Sequence, residues 1–380
     1  VRSRGDMVHK VRVVAVLLLC FGLLSCTRPP DLVGVDNRDI PVLSVENASR
    51  HKIFIATTRA GTESVGMLYS GARASDLGLS SVVVSIPPNH VSGVIERARR
   101  LPPDPMAEFA VIAPALYGSA AAFTDMINTE LAQRPPRDRE ILLFVHGYNN
   151  TFSDAVLRIA QFVHDTGFKG VPVLFSWASA GRASHYVYDL NSALTARPRF
   201  RQTLRLLAQS RARGIDIFAH SMGSMLTVET LIQAEADGGL AQIGRLNHVV
   251  LAAPDIDLDL FKVQLSQIGK ASGKLYVFVS NDDRILGVSQ RISGGVVRVG
   301  AADVEELAEL GVTVIDLSEI ADSASGSHNK FAASPAVVQL IGANLRLGNR
   351  DGQARPPSLT EALNNVPLVH VLVPDRASGL

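Results

Sequence analysis

From Ile141 onward, short unbroken apolar runs alternate with stretches whose apolar residues recur at helical spacing, and this alternation restricts the fold more than any other feature. The runs cover residues 141–145, 171–176, 215–219, 248–252, 275–280 and 312–316. Each is short and lacks polar alternation, as expected of strands buried on both faces of a sheet. Between them, Ala155, Val156, Ile159, Ala160 and Val163 recur at helical spacing, and 201–213 carries Leu204, Leu206, Leu207 and Ala208. Met225, Leu226, Val228, Leu231 and Ile232 form a third such set. Helices are therefore expected over 153–166, 201–213 and 222–236, with a last one over 335–345. Strand–helix alternation predicts an α/β fold, with a mostly parallel sheet, right-handed crossovers and helices on both faces. Two earlier runs, 52–57 and 81–86, have no helix between them and are expected to pair antiparallel at one edge. They bring the sheet to about eight strands, with residues 108–113 as a further strand candidate.

The amino-terminal residues follow a different logic. Lys10 and Arg12 precede an apolar run over 13–24 that ends at Ser25-Cys26. A membrane-spanning helix needs roughly 20 apolar residues, so this shorter run reads as the core of a secretory signal. Leu23-Leu24-Ser25-Cys26 resembles the lipobox of bacterial lipoproteins, in which the cysteine is lipidated. An uncleaved signal anchor is the alternative. The expected organisation is a signal over 1–25, a tether over 26–47 carrying Pro29, Pro30 and Pro41, amino-terminal strands and a connecting segment over 48–138, a core over 139–345 and a tail over 346–380. Cys20 leaves with the signal, so Cys26 would be the sole remaining thiol, and a disulfide within the mature chain is excluded. The formal charge is +1 for the whole chain. Without residues 1–25 it becomes −2, from 33 basic and 35 acidic residues. Neither value fits a nucleic-acid partner.

Ala219-His220-Ser221-Met222-Gly223 joins a strand run to a helical pattern through a sharp turn, the context of a nucleophile elbow. Residues two before and two after such a serine must be small, and Ala219 and Gly223 are. The helix amino terminus would offer backbone N–H groups to a developing oxyanion. A helix-capping serine is the bland alternative. His146-Gly147-Tyr148 follows the 141–145 run and resembles the oxyanion loop of α/β-hydrolases. In that reading His146 and Gly147 support the loop, and the N–H groups of Tyr148 and Met222 hold the oxyanion. An acid is expected after a late strand. Asp283 is favoured, with Asp282, Asp255 and Asp257 as alternatives; loop and helix-cap chemistry would explain any of the four. His328 is the expected base and His370 a remote second. The order Ser221, Asp283, His328 is the one α/β-hydrolases use. The remaining histidines, His9, His51, His90, His164, His185 and His248, show no spacing for zinc, and neither metal nor cofactor is expected. Trp177, Tyr186 and Tyr188 lie where they would line an acyl pocket or cap, or simply pack in core and surface.

These residues resemble a bacterial α/β-hydrolase family, the domain-of-unknown-function 900 group. The likeness rests on Phe144-Val145-His146-Gly147-Tyr148-Asn149, Phe175-Ser176-Trp177, the Ser221 motif, Ala253-Pro254-Asp255-Ile256-Asp257, residues 280–286 and Thr57-Thr58-Arg59. It implies the α/β-hydrolase fold and a hydrolase activity, with no substrate specified. The expected function is hydrolysis of a small-molecule or lipid ester through a serine triad, by a protein lipid-anchored at Cys26 to a bacterial cell-envelope membrane and facing the periplasm. Acyl transfer, thioester or amide hydrolysis would use the same groups. A non-catalytic envelope binding protein is the reading from another class.

Overall fold

The computed structural model describes residues 28–238, 245–268, 274–320, 328–335, 337–339, 341 and 369–373. The signal reading and Cys26 lie outside the described residues. Among the described residues no helix is long and apolar enough to cross a membrane.

Among the described residues ten strands form one sheet: β1 (Ser49–Gly61), β2 (Tyr69–Ile86), β3 (Ala110–Leu116), β4 (Glu140–Val145), β5 (Val171–Ser176), β6 (Gly214–His220), β7 (Leu246–Ala252), β8 (Leu275–Val279), β9 (Thr313–Asp316) and β10 (His370–Leu372). Their order is β10-β9-β8-β7-β6-β4-β5-β1-β2-β3. Every residue of β4, β5 and β6 is buried, which explains why these strands read as unbroken apolar runs. Strands β4 to β9 pair in parallel, and β1 joins them parallel to β5. The expected antiparallel edge is β1–β2, extended by β3.

Helices cover both faces. On one lie α1 (Ala120–Ala132), α3 (Tyr186–Ala208), α4 (Met222–Ala236) and α5 (Leu258–Ile268), with Phe123, Phe200, Leu226 and Phe261 in a shared core. On the other lies α2 (Phe152–Thr166), which contributes Val156, Ile159 and Phe162. A capping box starts α2: Thr151 Oγ1 accepts from the Asp154 N–H, and the Asp154 carboxylate accepts from the Thr151 N–H. Gly167, with φ 66°, ends it. Helix α6 (Arg284–Ile292) follows β8.

The structure corrects three expectations. Residues 28–47 are no free tether: Leu32 and Val42 are fully buried, Val33 bridges Val111, and Arg28 reaches Gly181 O and Asp154. Apolar residues that follow the prolines, Leu32, Val33 and Val42, supply most of that anchoring. Helix α3 begins well before 201, since Pro198 lies inside it rather than ending it. The stretch expected as a tail over 346–380 is not wholly outside the fold, because β10 adds a strand to β9.

The strand order places the site. The chain runs from β4 to β5 on one side and later returns to place β6 on the other. Strand order therefore reverses at β4, and a crevice forms at the carboxyl ends there. Val145 is in register with Ala219, so the segments after β4 and β6 emerge side by side.

Candidate active site

A cavity of about 670 Å³ opens at this crevice, and Ser221, His328, Gly147, Tyr148 and Tyr186 are among its lining residues. Ser221 stands between β6 and α4 with φ 51° and ψ −123°. For a residue with a Cβ this is a strained backbone, of the kind that persists where the surroundings enforce it and costs about 1–3 kcal/mol. Its own N–H donates to Ala252 O at 2.9 Å, which ties the turn to β7. The Ser221 side chain does not cap α4, so the hydroxyl is not engaged in the helix-cap role.

Gly223 and Gly147 are required by close approach. A Cβ on Gly223 would lie 2.4 Å from His146 O, and one on Gly147 would lie 2.9 Å from Ser221 Cβ. Gly147 therefore lets the β4 loop press against the serine; the left-handed residue of that loop is Asn149, with φ 58°.

The carboxyl side of the site comes from two loops. Asp283 caps α6 with one oxygen, Oδ1 accepting from the N–H groups of Ile285 (2.9 Å) and Leu286 (3.0 Å). Its other oxygen, Oδ2, accepts from His328 Nδ1 at 2.7 Å. Capping and histidine pairing thus coexist on one carboxylate. The other three aspartates point elsewhere. Asp282 pairs with Lys330 Nζ at 2.8 Å. Asp255 accepts from Ser289 Oγ at 2.6 Å and Tyr186 OH at 3.1 Å, and Asp257 caps α5 through the Asp259 and Leu260 N–H groups. His370 lies on β10 beside Glu319, away from the cavity lining.

Behind the His146–Asn150 loop lie groups that sequence reasoning did not assign. The Arg59 guanidinium is buried and reaches Ser176 Oγ (2.8 Å), Ser179 O (2.8 Å), Asn150 O (2.8 Å) and His146 Nε2 (3.4 Å). Burial lowers its pKa to about 10, so it stays charged at neutral pH. His146 Nε2 also lies 3.1 Å from Trp177 O, and its Nδ1 lies 2.9 Å from Gly147 O. Asn150 Nδ2 donates to the same carbonyl at 3.2 Å. In a planar trans peptide the N–H opposes the C=O, so the Tyr148 N–H points away from these groups. Buried Asp189 braces the loop from the other side, accepting from Asn149 N at 3.1 Å and Ser179 Oγ at 2.5 Å. Trp177 stacks on His146 and donates to its carbonyl at 2.7 Å. Neither Trp177 nor Tyr188 lines the cavity; Tyr188 bonds Gly71 O on β2, and of the three aromatics only Tyr186 reaches the pocket.

His220 is a further missed residue. Its Nε2 lies 3.1 Å from His328 O and its ring 4.7 Å from that of His328, so it fixes the backbone that carries the paired histidine. Burial and the neighbouring His328 hold His220 well below its usual pKa. Burial and Arg59 lower His146 to about 3. Both are neutral in the fold and take up protons on unfolding below pH 6.5. Their stabilisation is therefore complete above pH 6.5 and is lost as pH falls toward the depressed folded values. The slope approaches about 1.4 kcal/mol per pH unit for each histidine. The Tm measured by calorimetry should fall from pH 7 to pH 4.5; a flat profile would contradict neutral burial.

A mixed surface frames the cavity mouth. Ile285, Val288 and Ile292 on α6 line it and are 44%, 52% and 59% exposed. Arg97, Asp154 and Arg158 lie among its polar lining.

Among solved structures, a fungal esterase from Rhizomucor miehei is 12% identical to the chain, over 80% of this chain and 85% of its own, with a TM-score of 0.35. An esterase of Pyrobaculum calidifontis is 12% identical over 71% of this chain and 81% of its own, with a TM-score of 0.34. No curated protein matches the chain. The alpha/beta hydrolases of unknown function known as DUF900 match residues 119–344, more than half of the sequence, and the chain belongs to that family.

Proposed function

We propose that this hydrolase cleaves carboxylic esters through an acyl-enzyme on Ser221. The observation that carries the reading is the 2.7 Å pair between Asp283 Oδ2 and His328 Nδ1, set on the same cavity as a strained serine at a helix amino terminus. With Nδ1–H held by Asp283, His328 presents Nε2 as the base that takes the Ser221 proton. The serine oxygen attacks the ester carbonyl, and the N–H groups of Tyr148 and Met222 receive the oxyanion. His328 returns the proton to the leaving alcohol, and water repeats the sequence to release the acid.

The exposed apolar ridge of Ile285, Val288 and Ile292 beside the serine favours a substrate with an apolar acyl or alcohol part. Thioester, amide and acyl-transfer substrates would use the same groups. The signal-like run and the Leu23-Leu24-Ser25-Cys26 pattern support a lipid anchor at a bacterial cell envelope, facing the periplasm. If Cys26→Ser leaves membrane association unchanged, that anchor is wrong.

A panel of p-nitrophenyl esters and thioesters of increasing chain length tests the activity. Ser221→Ala should lower turnover of the preferred ester by about 10⁴-fold or more. Unchanged turnover would remove the assignment.

A further inference from the structure

We propose that His90, His164 and Asp165 form a zinc-type metal site that clips the segment after β2 onto α2. This site is separate from Ser221 and does not depend on the hydrolase reading. One ligand atom from each of the three residues lies within 4.8 Å of the other two, and the side chains of His90 and Asp165 are only 5% and 2% exposed. A tetrahedral zinc site holds its ligand atoms about 3.3 Å apart at bonds of about 2.0–2.1 Å, so small side-chain movements close the set.

The surrounding hydrogen bonds are those a metal site requires. A metal-bound histidine donates its second ring N–H to an outer acceptor, which fixes tautomer and orientation. His90 Nδ1 lies 2.7 Å from Glu96 Oε2, leaving Nε2 beside Asp165 Oδ1 at 2.8 Å. His164 Nδ1 lies 3.2 Å from His51 Nε2, leaving its own Nε2 as the ligand atom. Asp165 Oδ2 is held by the Gly93 N–H at 2.7 Å and by Gln161 Nε2, leaving Oδ1 for the metal. Each of the three thus has one atom held by an outer partner and one atom left for the metal. On binding, His90 Nε2 releases its hydrogen to solvent and its lone pair takes the metal. Two imidazoles and one carboxylate suit Zn²⁺, with a fourth position for water.

The position of the site gives it a structural task. His51 stands on β1, His90 and Glu96 in the segment after β2, and His164 and Asp165 in the last turn of α2. Glu96 is flanked by Ile95 and Arg97, which both line the Ser221 cavity. The metal would therefore fix one wall of that cavity from behind.

The test is calorimetric titration of ZnCl₂ into the whole purified protein, stripped of metal by chelator and free of any histidine tag. Wild type should bind one equivalent at micromolar concentration or below, with a rise of several degrees in Tm. His164→Gln and Asp165→Asn should each abolish the high-affinity phase. Glu96→Gln should weaken it about 10- to 100-fold. His370→Gln, far away and 59% exposed at the side chain, and Ser221→Ala should leave it unchanged. Failure of wild type to take up zinc, or equal binding by the His164 and Asp165 variants, would overturn the site. If those variants do not fold, Co²⁺ substitution of wild type decides: intense four-coordinate visible bands support the site, and the weak spectrum of hydrated Co²⁺ overturns it.

Discussion

Replacing Asp283 by asparagine is expected to lower kcat for ester hydrolysis by about 10⁴-fold while leaving the fold intact. The two oxygens of this carboxylate have separate tasks. Oδ1 caps α6 and Oδ2 accepts from His328 Nδ1. Asparagine caps helices as well as aspartate does, so its oxygen stays at the α6 terminus and stability changes by about 1 kcal/mol or less. Its amide then faces His328 as a donor. The imidazole must answer with a bare Nδ1 and a protonated Nε2, and in that tautomer it cannot take the proton of Ser221. Asp255→Asn is the comparison, because that carboxylate serves Tyr186, Ser289 and Arg298 and does not meet His328. Steady-state rates together with Tm separate the two variants. A loss below tenfold for Asp283→Asn would show that this carboxylate does not set the tautomer.

Arg59→Met should both destabilise the protein and impair its chemistry. The side-chain volume is kept, but the carbonyls of Asn150 and Ser179 and the Ser176 hydroxyl lose their donor in a buried place. Each unsatisfied group costs about 1–3 kcal/mol, which marks this as a large single-site loss. The same donors hold His146 and the loop that presents the Tyr148 N–H. With that N–H displaced, kcat should fall about 10²- to 10³-fold, the effect of losing one oxyanion donor, and more than KM rises. A residue of purely structural importance would lower Tm without that bias toward kcat. Arg59→Lys should recover only part of either loss, since one ammonium cannot span the planar fork.

What could be read from the sequence divides along a physical line. Strands β4, β5 and β6 were legible because burial on both faces leaves the run almost wholly apolar. The Ser221 turn was legible because its demands fall within five consecutive residues, small ones at Ala219 and Gly223 and a helix to follow. Strand β10 was not legible as part of the sheet, because its apolar run over 366–373 sits in an otherwise polar, proline-containing stretch that reads as a tail. The segment over 28–47 misled because its prolines read as extended linker while Leu32 and Val42 pack beneath β3 and its neighbours. Arg59, Asp189 and His220 act through burial and contacts between distant elements, which no local spacing records. The only sequence hint for Arg59 was its place in a family-like triplet. The His90, His164 and Asp165 group was equally hidden, since its members lie on separate segments and never show zinc-ligand spacing.

The identity of the nucleophile is tested most directly by covalent labelling. Folded wild-type protein treated with a fluorophosphonate and examined by intact and tandem mass spectrometry should carry one adduct per chain, on Ser221. Ser221→Ala should carry none, at an unchanged Tm. An unlabelled wild type, or a label on another serine that persists in Ser221→Ala, would contradict the serine-hydrolase reading.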